Sequence, residues 1–315
     1  MPEQSFINRN IEFRFFATLL VSVSLLIVTS YVLGSKVERG DASMPTEAAL
    51  KPFPEVALTA KAAYVYDART KTVLLALNEN TRMPLASLTK LMTALVATEL
   101  SPAYGTVTVG KDALSAEGDS GLRPGERWSL KDLLDFSLVS SSNDGIRAVA
   151  LALGALGRSD ANSREIIQDF VVKMNQKATE LDLKNTYFWN ETGLDETELK
   201  GGAYGTARDM ATLLEHIIAY HPEMLEATKE SSINTSSLDG LNHEAKNTNV
   251  IADKIPGFIG SKTGFTDTAG GNLIFAFDPE LGRPIVISVM GSTEEGRFAD
   301  AETLINAVLT YLNQN

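Results

Sequence analysis

The chain has 315 residues, of which 44% are hydrophobic and 22% are charged, and its formal net charge is −12. This size and composition suit one large folded domain or two modest ones, and the acidic balance argues against a nucleic-acid partner. Because the chain has no cysteine, it has no disulfide framework and no thiolate metal site. Its three histidines, His216, His221 and His243, lack the i, i+4 spacing of a helical zinc site, which argues against a histidine-based metal centre.

An uncharged run of 19 residues, Phe15 to Leu33, lies near the start of the chain. It is long enough to span a bilayer and longer than the apolar core of a usual signal peptide. We therefore expect residues 15–34 to be an uncleaved transmembrane signal anchor after a short tail, residues 1–14, with a cleaved signal peptide as the alternative. Basic residues on both sides of the run leave its orientation undecided. Residues 35–56 are polar and proline-containing, have no apolar period, and predict a linker.

The folded domain is expected to span residues 57–315. Ala62 to Asp67 and Thr72 to Leu77 predict two strands joined by a short turn. A helix is predicted next, from Leu85 to Leu100. Its apolar stripe at helical spacing consists of Leu88, Leu91, Met92, Leu95 and Val96.

Ser87 and Lys90 lie three residues apart at the start of this helix, so they share one face of its first turn. A serine hydroxyl becomes a good nucleophile when a base removes its proton. A lysine can be that base if burial or a second cation lowers its pKa. The first turn of a helix also offers unpaired backbone N–H groups that can stabilise an oxyanion. By itself, the pair also fits an N-cap serine followed by a solvated lysine.

A second candidate element is the turn between two later helices. Ser129 is expected to cap the first of them, with an acidic residue at the third helical position. That helix ends at the polar loop Ser140 to Gly145, and the next apolar helix is expected to start at Ile146. Ser141 and Asn143 are therefore predicted on a tight inter-helix turn, a rigid place from which side chains can be aimed.

The rest of the chain predicts further helices followed by strands. Helices are predicted from Asn162 to Leu181, after a Thr206 cap, and at the C-terminal end; strands are predicted at Ile259 to Thr263, Asn272 to Asp278 and Pro284 to Met290. Two strands near the start and three near the end indicate one α/β domain. Its five-stranded sheet should be mainly antiparallel, with helices on both faces.

Two other serine patterns are interpreted as lacking chemistry. Gly118-Asp119-Ser120-Gly121 resembles the nucleophile motif of chymotrypsin-like proteases, but every histidine follows Ser120, whereas that family places its histidine first. We interpret this segment as a polar loop. The Ser-x-Asn pattern at Ser232-Ile233-Asn234 follows no strong apolar helix and is interpreted as a chance match.

Three short motifs occur in a set order: Ser87 with Lys90, then Ser141-Ser142-Asn143, then Lys262-Thr263-Gly264. This set is the signature of class A β-lactamases and penicillin-binding proteins. Over roughly residues 57–315 the chain resembles the serine D-Ala-D-Ala carboxypeptidases, the low-molecular-weight penicillin-binding proteins of peptidase family S11. Further matching stretches are Pro84 to Thr93, Pro124-Gly125-Glu126, Asp132-Leu133-Leu134, Asn190 to Asp195, Thr206 to Met210, Asn247-Thr248-Asn249 and Gly260 to Thr266.

The resemblance implies a catalytic role for several residues. Ser87 would be the acyl-ester nucleophile, Lys90 its general base and Ser141 a proton relay to or from the leaving amine. The oxyanion hole would consist of the backbone N–H groups of Ser87 and Phe265. Arg208 resembles an arginine of the family, and both a structural ion pair and a substrate role remain open for it. No metal or organic cofactor is implied.

The resemblance also implies substrate-binding residues. Asn143 would hold a substrate amide, and Thr263 and Gly264 would bind the carboxylate end of a peptide or of a β-lactam. Lys262 would add positive potential and help to keep Lys90 deprotonated, since like charges disfavour each other.

The fold implied is that of the serine β-lactamases and penicillin-binding-protein transpeptidases. The implied substrates are peptidoglycan stem peptides ending in D-Ala-D-Ala. Ser87 would attack the carbonyl between two D-alanines, the terminal D-alanine would leave, and water would cleave the ester. β-Lactams would be covalent inhibitors. Because this substrate lies outside the cytoplasm, the resemblance implies a cytoplasmic tail at residues 1–14, a single-pass membrane segment and an extracytoplasmic catalytic domain.

Departures from the family leave alternatives open. Many members have a second, β-rich domain and an amphipathic anchor beyond the catalytic sheet, which are not expected here, so an endopeptidase that cuts peptide cross-links is one alternative. A class A β-lactamase needs a Glu-x-x-x-Asn segment, but Glu196 is followed there by Lys200, and Glu198 by Gly202. A non-catalytic receptor is disfavoured because the motif residues are intact. Glu191 replaces the usual proline of the family.

Overall fold

An antiparallel sheet lies at the centre of the protein. The computed structural model describes residues 51–156 and 161–315, together with Ser24. Within these residues the strands are β1 (Ala62–Asp67), β2 (Thr72–Leu77), β3 (Met83–Pro84), β4 (Thr106–Thr108), β5 (Arg127–Ser129), β6 (Tyr187–Phe188), β7 (Ala203–Gly205), β8 (Ser232–Ser236), β9 (Asn242–Lys246), β10 (Phe258–Thr266), β11 (Gly270–Phe277) and β12 (Ile285–Ser292).

Helices account for most of the remaining regular structure in the same part of the chain. They are α1 (Thr89–Leu100), which follows a short 3₁₀ helix (Ala86–Leu88), α2 (Leu130–Ser140), α3 (Asn143–Gly154), α4 (Ser163–Glu180), α5 (Ala207–Tyr220) and α6 (Gly296–Gln314). The described helices include none that is long and apolar enough to cross a membrane. Apart from Ser24, the predicted transmembrane segment, residues 15–34, lies outside the described residues, as does the predicted tail.

Five strands form the central sheet in the order β10–β11–β12–β1–β2, and every neighbouring pair is antiparallel. β1 pairs with β12 so that Ala62 lies opposite Met290, which joins the first and last strands of the domain. β1 and β2 have the predicted bounds, and the last three strands differ from theirs by one to three residues at each end. The α/β prediction with a mainly antiparallel five-stranded sheet is confirmed.

Both faces of the sheet are buried beneath helices. Side chains alternate along β1, so that Ala62 and Tyr64 join a cluster that includes residues of α1 to α5, whereas Ala63 and Val65 join a second cluster with α6. The helical layer that carries the predicted site residues of α1 and α3 therefore covers one face, and α6 covers the other.

Polar caps fix the starts of three helices at the predicted places. Ser129 Oγ accepts a hydrogen bond from Asp132 N at 3.1 Å and caps α2. Asn162 caps α4 through a full capping box with Glu165, and Thr206 caps α5. Each cap satisfies backbone N–H groups that have no partner within the helix.

The start of α3 differs from the prediction. The apolar pattern predicted a start at Ile146, but α3 begins at Asn143, and Ser142 Oγ caps it by accepting a hydrogen bond from Gly145 N at 3.0 Å. The first turn is polar, so its hydrophobic periodicity starts one turn after the helix does. Asn143 is therefore held on a capped helix, and Ser141 lies in the short connection from α2.

Candidate active site

Ser87 and Lys90 are in direct contact at the start of α1. Lys90 Nζ lies 2.7 Å from Ser87 Oγ and donates a hydrogen bond to Thr192 O at 3.0 Å. Lys90 is fully buried, and this burial lowers its pKa from 10.5 to about 7, against the opposing charge of Glu191. A large fraction of Lys90 is therefore neutral near pH 7 and can accept a proton from the hydroxyl beside it.

The backbone that presents Ser87 is strained. The preceding residue, Ala86, has a φ of 48°, in the left-handed region that non-glycine residues rarely adopt. Gly193 packs directly on this turn, since a Cβ at Gly193 would lie 1.9 Å from Ala86 O. Asn272, on β11 of the sheet, donates hydrogen bonds from Nδ2 to the backbone carbonyls of Pro84 and Leu85, at 3.0 and 3.1 Å. The surrounding structure thus fixes the strained turn from two sides.

Ser141 and Lys262 form a second contact pair. Ser141 directly follows the last residue of α2 and adopts the left-handed conformation. Lys262 Nζ donates hydrogen bonds to Ser141 Oγ and to Thr263 O, both at 2.9 Å. Burial lowers the pKa of Lys262, and the charges of Lys90 and Arg297 lower it further. Burial is the main cause of the lowered pKa of Lys90 as well, and the mutual repulsion of the two lysines disfavours the state in which both are charged.

Asn143 and Thr263 add polar groups to this region. Asn143 Nδ2 donates a hydrogen bond to Glu117 O at 2.7 Å, whereas its buried Oδ1 has no hydrogen-bond partner among the described residues. Thr263 Oγ1 donates to Thr248 Oγ1 at 2.6 Å. Asn143 Oδ1 therefore has unused capacity to accept a hydrogen bond.

The end of β10 lies against the backbone of Ser87. A Cβ at Gly264 would lie 3.1 Å from Ser87 N and 2.9 Å from Leu85 O, so the glycine permits this close approach. Arg297, buried in α6, donates from Nη1 to Gly264 O at 2.9 Å. The Ser87 amide is thus beside the segment that contains Gly264 and Phe265, where the sequence analysis expects the oxyanion hole.

Comparison with known proteins shows the family of this chain. Residues 46–294 match the family of D-alanyl-D-alanine carboxypeptidases, peptidase family S11. The chain belongs to this family. It is 32% identical over 266 residues to the D-alanyl-D-alanine carboxypeptidase DacF of Bacillus subtilis, covering 81% of this chain and 64% of that protein. It is 31% identical over 235 residues to DacB2 of Mycobacterium tuberculosis, covering 74% of this chain and 75% of that carboxypeptidase.

The S11 family assignment agrees with solved structures. The Streptomyces K15 DD-transpeptidase is 26% identical, with a TM-score of 0.73, covering 82% of this chain and 99% of that chain. A D-alanyl-D-alanine carboxypeptidase from Mycobacterium tuberculosis is 29% identical, with a TM-score of 0.69, covering 84% of this chain and 95% of that chain. These likenesses confirm the predicted penicillin-binding-protein fold. The chain spans 64% and 60% of the lengths of DacF and of DacD from Escherichia coli.

Motif reasoning missed two contributors to this S11 site. The sequence predicts only a helix at Ala86, because an alanine gives no signal for the left-handed φ that it adopts before Ser87. Arg297 lies 33 residues beyond its partner Gly264, on a helix that was predicted only from its apolar stripe. The sequence offers one sign of this role, which is that Arg297 is a charged residue close to the apolar stripe of the C-terminal helix. Glu191 was noted as a departure, but its burial could not be seen.

Arg208 and the Gly118 to Gly121 loop, both considered in the sequence analysis, make contacts that stabilise the fold. Arg208 Nη2 lies 3.1 Å from Glu79 Oε1, so of the two roles left open for Arg208 the contacts favour the ion pair. Ser120 Oγ lies 2.6 Å from Ser142 Oγ and donates to Asp144 Oδ2 at 3.1 Å. The Gly118 to Gly121 loop therefore packs on the first turn of α3.

One group of potential metal ligands lies within the described part of the chain. Ligand atoms of Glu99, His216 and His221 fall within 4.8 Å of one another, because α5 ends between the two histidines. Lys177 Nζ, however, lies 2.8 Å from Glu99 Oε2. A metal ion bound by this carboxylate would lie beside an ammonium group, so we interpret the cluster as an ion-pair network and assign no metal to it.

Proposed function

We propose that the protein is a serine-type D-Ala-D-Ala carboxypeptidase that acts on peptidoglycan stem peptides and is acylated by β-lactams. The observation that carries the proposal is the 2.7 Å contact between Ser87 Oγ and Nζ of a fully buried lysine. Lys90, with a pKa of about 7, can be a base at neutral pH, where an ordinary lysine is protonated. Membership of the carboxypeptidase family supports the choice of substrate.

In the acylation step, Lys90 takes the Ser87 proton as Ser87 Oγ bonds to the carbonyl carbon between the two terminal D-alanines. The carbonyl electron pair moves onto oxygen, where the backbone N–H groups of Ser87 and Phe265 stabilise the negative charge. Collapse of this intermediate breaks the C–N bond. Ser141, whose hydroxyl accepts a hydrogen bond from Lys262, relays the proton that Lys90 took from Ser87 to the leaving amine, and Lys90 is neutral again. D-Alanine departs and an acyl ester remains on Ser87.

The same groups bind substrate and complete the cycle. Asn143 Oδ1 accepts an N–H of the substrate amide, and Lys262 with Thr263 receives the terminal carboxylate beside Gly264. Water then attacks the ester as Lys90 takes its proton, and the bond between the acyl carbon and Ser87 Oγ breaks. Lys90 returns the proton to Ser87 Oγ, and the shortened peptide leaves with a new carboxylate. This route uses no metal or organic cofactor. With a β-lactam, the leaving group stays tethered, so the acyl-enzyme should persist.

We propose further that residues 15–34 anchor the protein in the membrane and that the catalytic domain, residues 57–315, lies outside the cytoplasm. The uncharged run of 19 residues supports the anchor. The wall substrate proposed above supports the orientation. If the proposal is right, the full chain sediments with membranes after high-salt washing, and a protease added to spheroplasts degrades the catalytic domain. A protein released by salt, or protected in intact spheroplasts, would contradict it.

A peptide assay tests the proposed activity. Three substrates are compared: a stem peptide ending in D-Ala-D-Ala, the same peptide ending in D-Ala-L-Ala, and a cross-linked dimer that lacks a free D-Ala-D-Ala end. We expect release of the terminal alanine from the first substrate only, and no release with the Ser87→Ala variant. Cleavage of the cross-linked dimer alone would assign an endopeptidase instead. Failure to cleave any of the three would contradict the proposal.

A further inference from the structure

The side chain of Glu191 places a carboxyl group in the protein interior, where a charge is costly. Its side chain is 1% exposed, and its Oε1 is buried without a hydrogen-bond partner in the described part of the chain. A buried carboxylate is unfavourable unless an opposite charge compensates it. The position also departs from the proline that is usual in the family. A compensating group must therefore lie nearby.

The Glu191 segment is attached to the helix that carries the base. Glu191 O accepts a hydrogen bond from Thr93 Oγ1 at 2.6 Å, and Thr192 O accepts one from Lys90 Nζ at 3.0 Å. Lys90 and Thr93 lie three residues apart on α1 and so share one of its faces. Two successive carbonyls of the loop thus hold Glu191 against the same face of α1 that presents Lys90.

Charged groups on three elements act on the Glu191 carboxyl. Arg147 on α3 places Nη1 3.7 Å from Glu191 Oε1. The charges of Lys90 on α1 and of Glu196 on the same loop also act on the carboxyl group. Burial raises the pKa of Glu191 overall, against the lowering effects of its own backbone N–H, of Arg147 and of Lys90. In return, Glu191 raises the pKa of Lys90, which burial lowers. Lys262 on β10 is the further cation coupled to Lys90.

We infer that Glu191 is a positioning residue that supplies the counter-charge for Lys90 when this lysine takes the proton of Ser87. A neutral amine that accepts a proton in a buried site becomes a cation with little solvation. A carboxylate beside it stabilises that cation and makes the amine a stronger base. Arg147 favours the ionised carboxylate against the burial that opposes it. The inference rests on the acyl-serine mechanism proposed above and gives Glu191 no contact with substrate.

The pH dependence of acylation by a chromogenic cephalosporin tests this role. The rate is measured for the full-length wild type, Glu191→Gln and Glu191→Pro. Loss of the carboxylate lowers the pKa of Lys90 further, so the acidic limb of the profile should move to lower pH by about one unit. The rate on the plateau should fall severalfold, because the base is weaker. Glu198→Gln, an exposed change of the same charge on the same loop, should match the wild type.

Arg147→Met provides a second test that leaves Glu191 in place. The Arg147 side chain is 34% exposed, so this variant should fold even if the Glu191 variants do not. Without Arg147, Glu191 is harder to ionise, and the acidic limb should move in the same direction by a smaller amount.

The outcomes separate the inference from the proposed function. If the limb stays in place in every folded variant, including Arg147→Met, Glu191 is merely structural and the inference is wrong, even if melting temperatures fall. The wild-type protein would still be a penicillin-binding enzyme in that case. If the wild type itself is not acylated, the proposed function fails, and the inference fails with it.

Discussion

Ser141 adopts a left-handed backbone conformation, with φ of 60°, and in this conformation its hydroxyl accepts a hydrogen bond from Lys262 Nζ at 2.9 Å. The two residues are 121 positions apart and meet where the end of α2 lies beside β10. A non-glycine residue loses about 1–2 kcal/mol in this conformation. The hydroxyl is therefore presented at a cost in stability, which is common at functional sites.

Replacement of Ser141 by glycine should separate activity from stability. Glycine adopts the left-handed conformation without strain but removes the hydroxyl that we propose as the proton relay. We expect acylation by benzylpenicillin to slow by about 100-fold. The free energy of unfolding in urea should stay the same or rise by up to about 1 kcal/mol. A Ser141→Gly protein that is acylated at the wild-type rate would show that Ser141 takes no part in the chemistry.

Acylation should depend on pH through Lys90. Burial lowers the pKa of Lys90 to about 7, and the neutral amine, which is the active base, predominates above that value. The acylation rate should therefore rise about tenfold per pH unit below pH 7 and level off above it. Lys90→Met should remove this dependence together with most of the rate. A rate that is flat from pH 5 to pH 9 in the wild type is incompatible with Lys90 as the base.

Gly193→Ala should disrupt the turn that presents Ser87. Its Cβ would lie 1.9 Å from Ala86 O, and Gly193 has a φ of 81°. We expect a loss of more than about 2 kcal/mol of unfolding free energy and no detectable acylation. Gly240→Ala is the matched control, because Gly240 has a φ of 79° with open space around it. It should cost about 1 kcal/mol and leave acylation unchanged. Equal effects of the two variants would contradict the packing argument.

Arg297→Met should weaken catalysis through the backbone of β10. The variant loses the 2.9 Å hydrogen bond from Arg297 Nη1 to Gly264 O, beside the expected oxyanion hole. A small displacement of this strand should slow acylation by roughly 10- to 100-fold. Arg283→Met removes an arginine paired with Asp67 at the opposite end of the sheet and should lower stability while acylation continues. If both variants react at the wild-type rate, Arg297 has no influence on the site.

Local chemistry was enough to predict most elements of the fold. Ser129 and Thr206 could be recognised as helix caps because the cap bonds link residues only three positions apart. The strands β1 and β2 followed from short apolar runs on either side of a turn. The start of α3 at Asn143 could not be found in this way, because its first turn is polar and only the cap geometry of Ser142 defines it.

The candidate site was predictable to a smaller extent. Helical spacing alone places Ser87 beside Lys90, but it does not show that Lys90 is fully buried. The contact between Ser141 and Lys262 joins residues 121 positions apart, so only the resemblance to a family could associate these residues. The Arg297 contact and the burial of Glu191 depend on tertiary packing, for which the sequence offers no periodic signal.

Intact-mass spectrometry of the full chain after mixing with benzylpenicillin tests the acyl-serine mechanism most directly. We predict a persistent adduct of one benzylpenicillin on the wild type and none on the Ser87→Ala variant. A short-lived adduct with steady loss of the drug would instead indicate a β-lactamase. No adduct on the wild type, or an equal adduct on Ser87→Ala, would contradict Ser87 as the nucleophile.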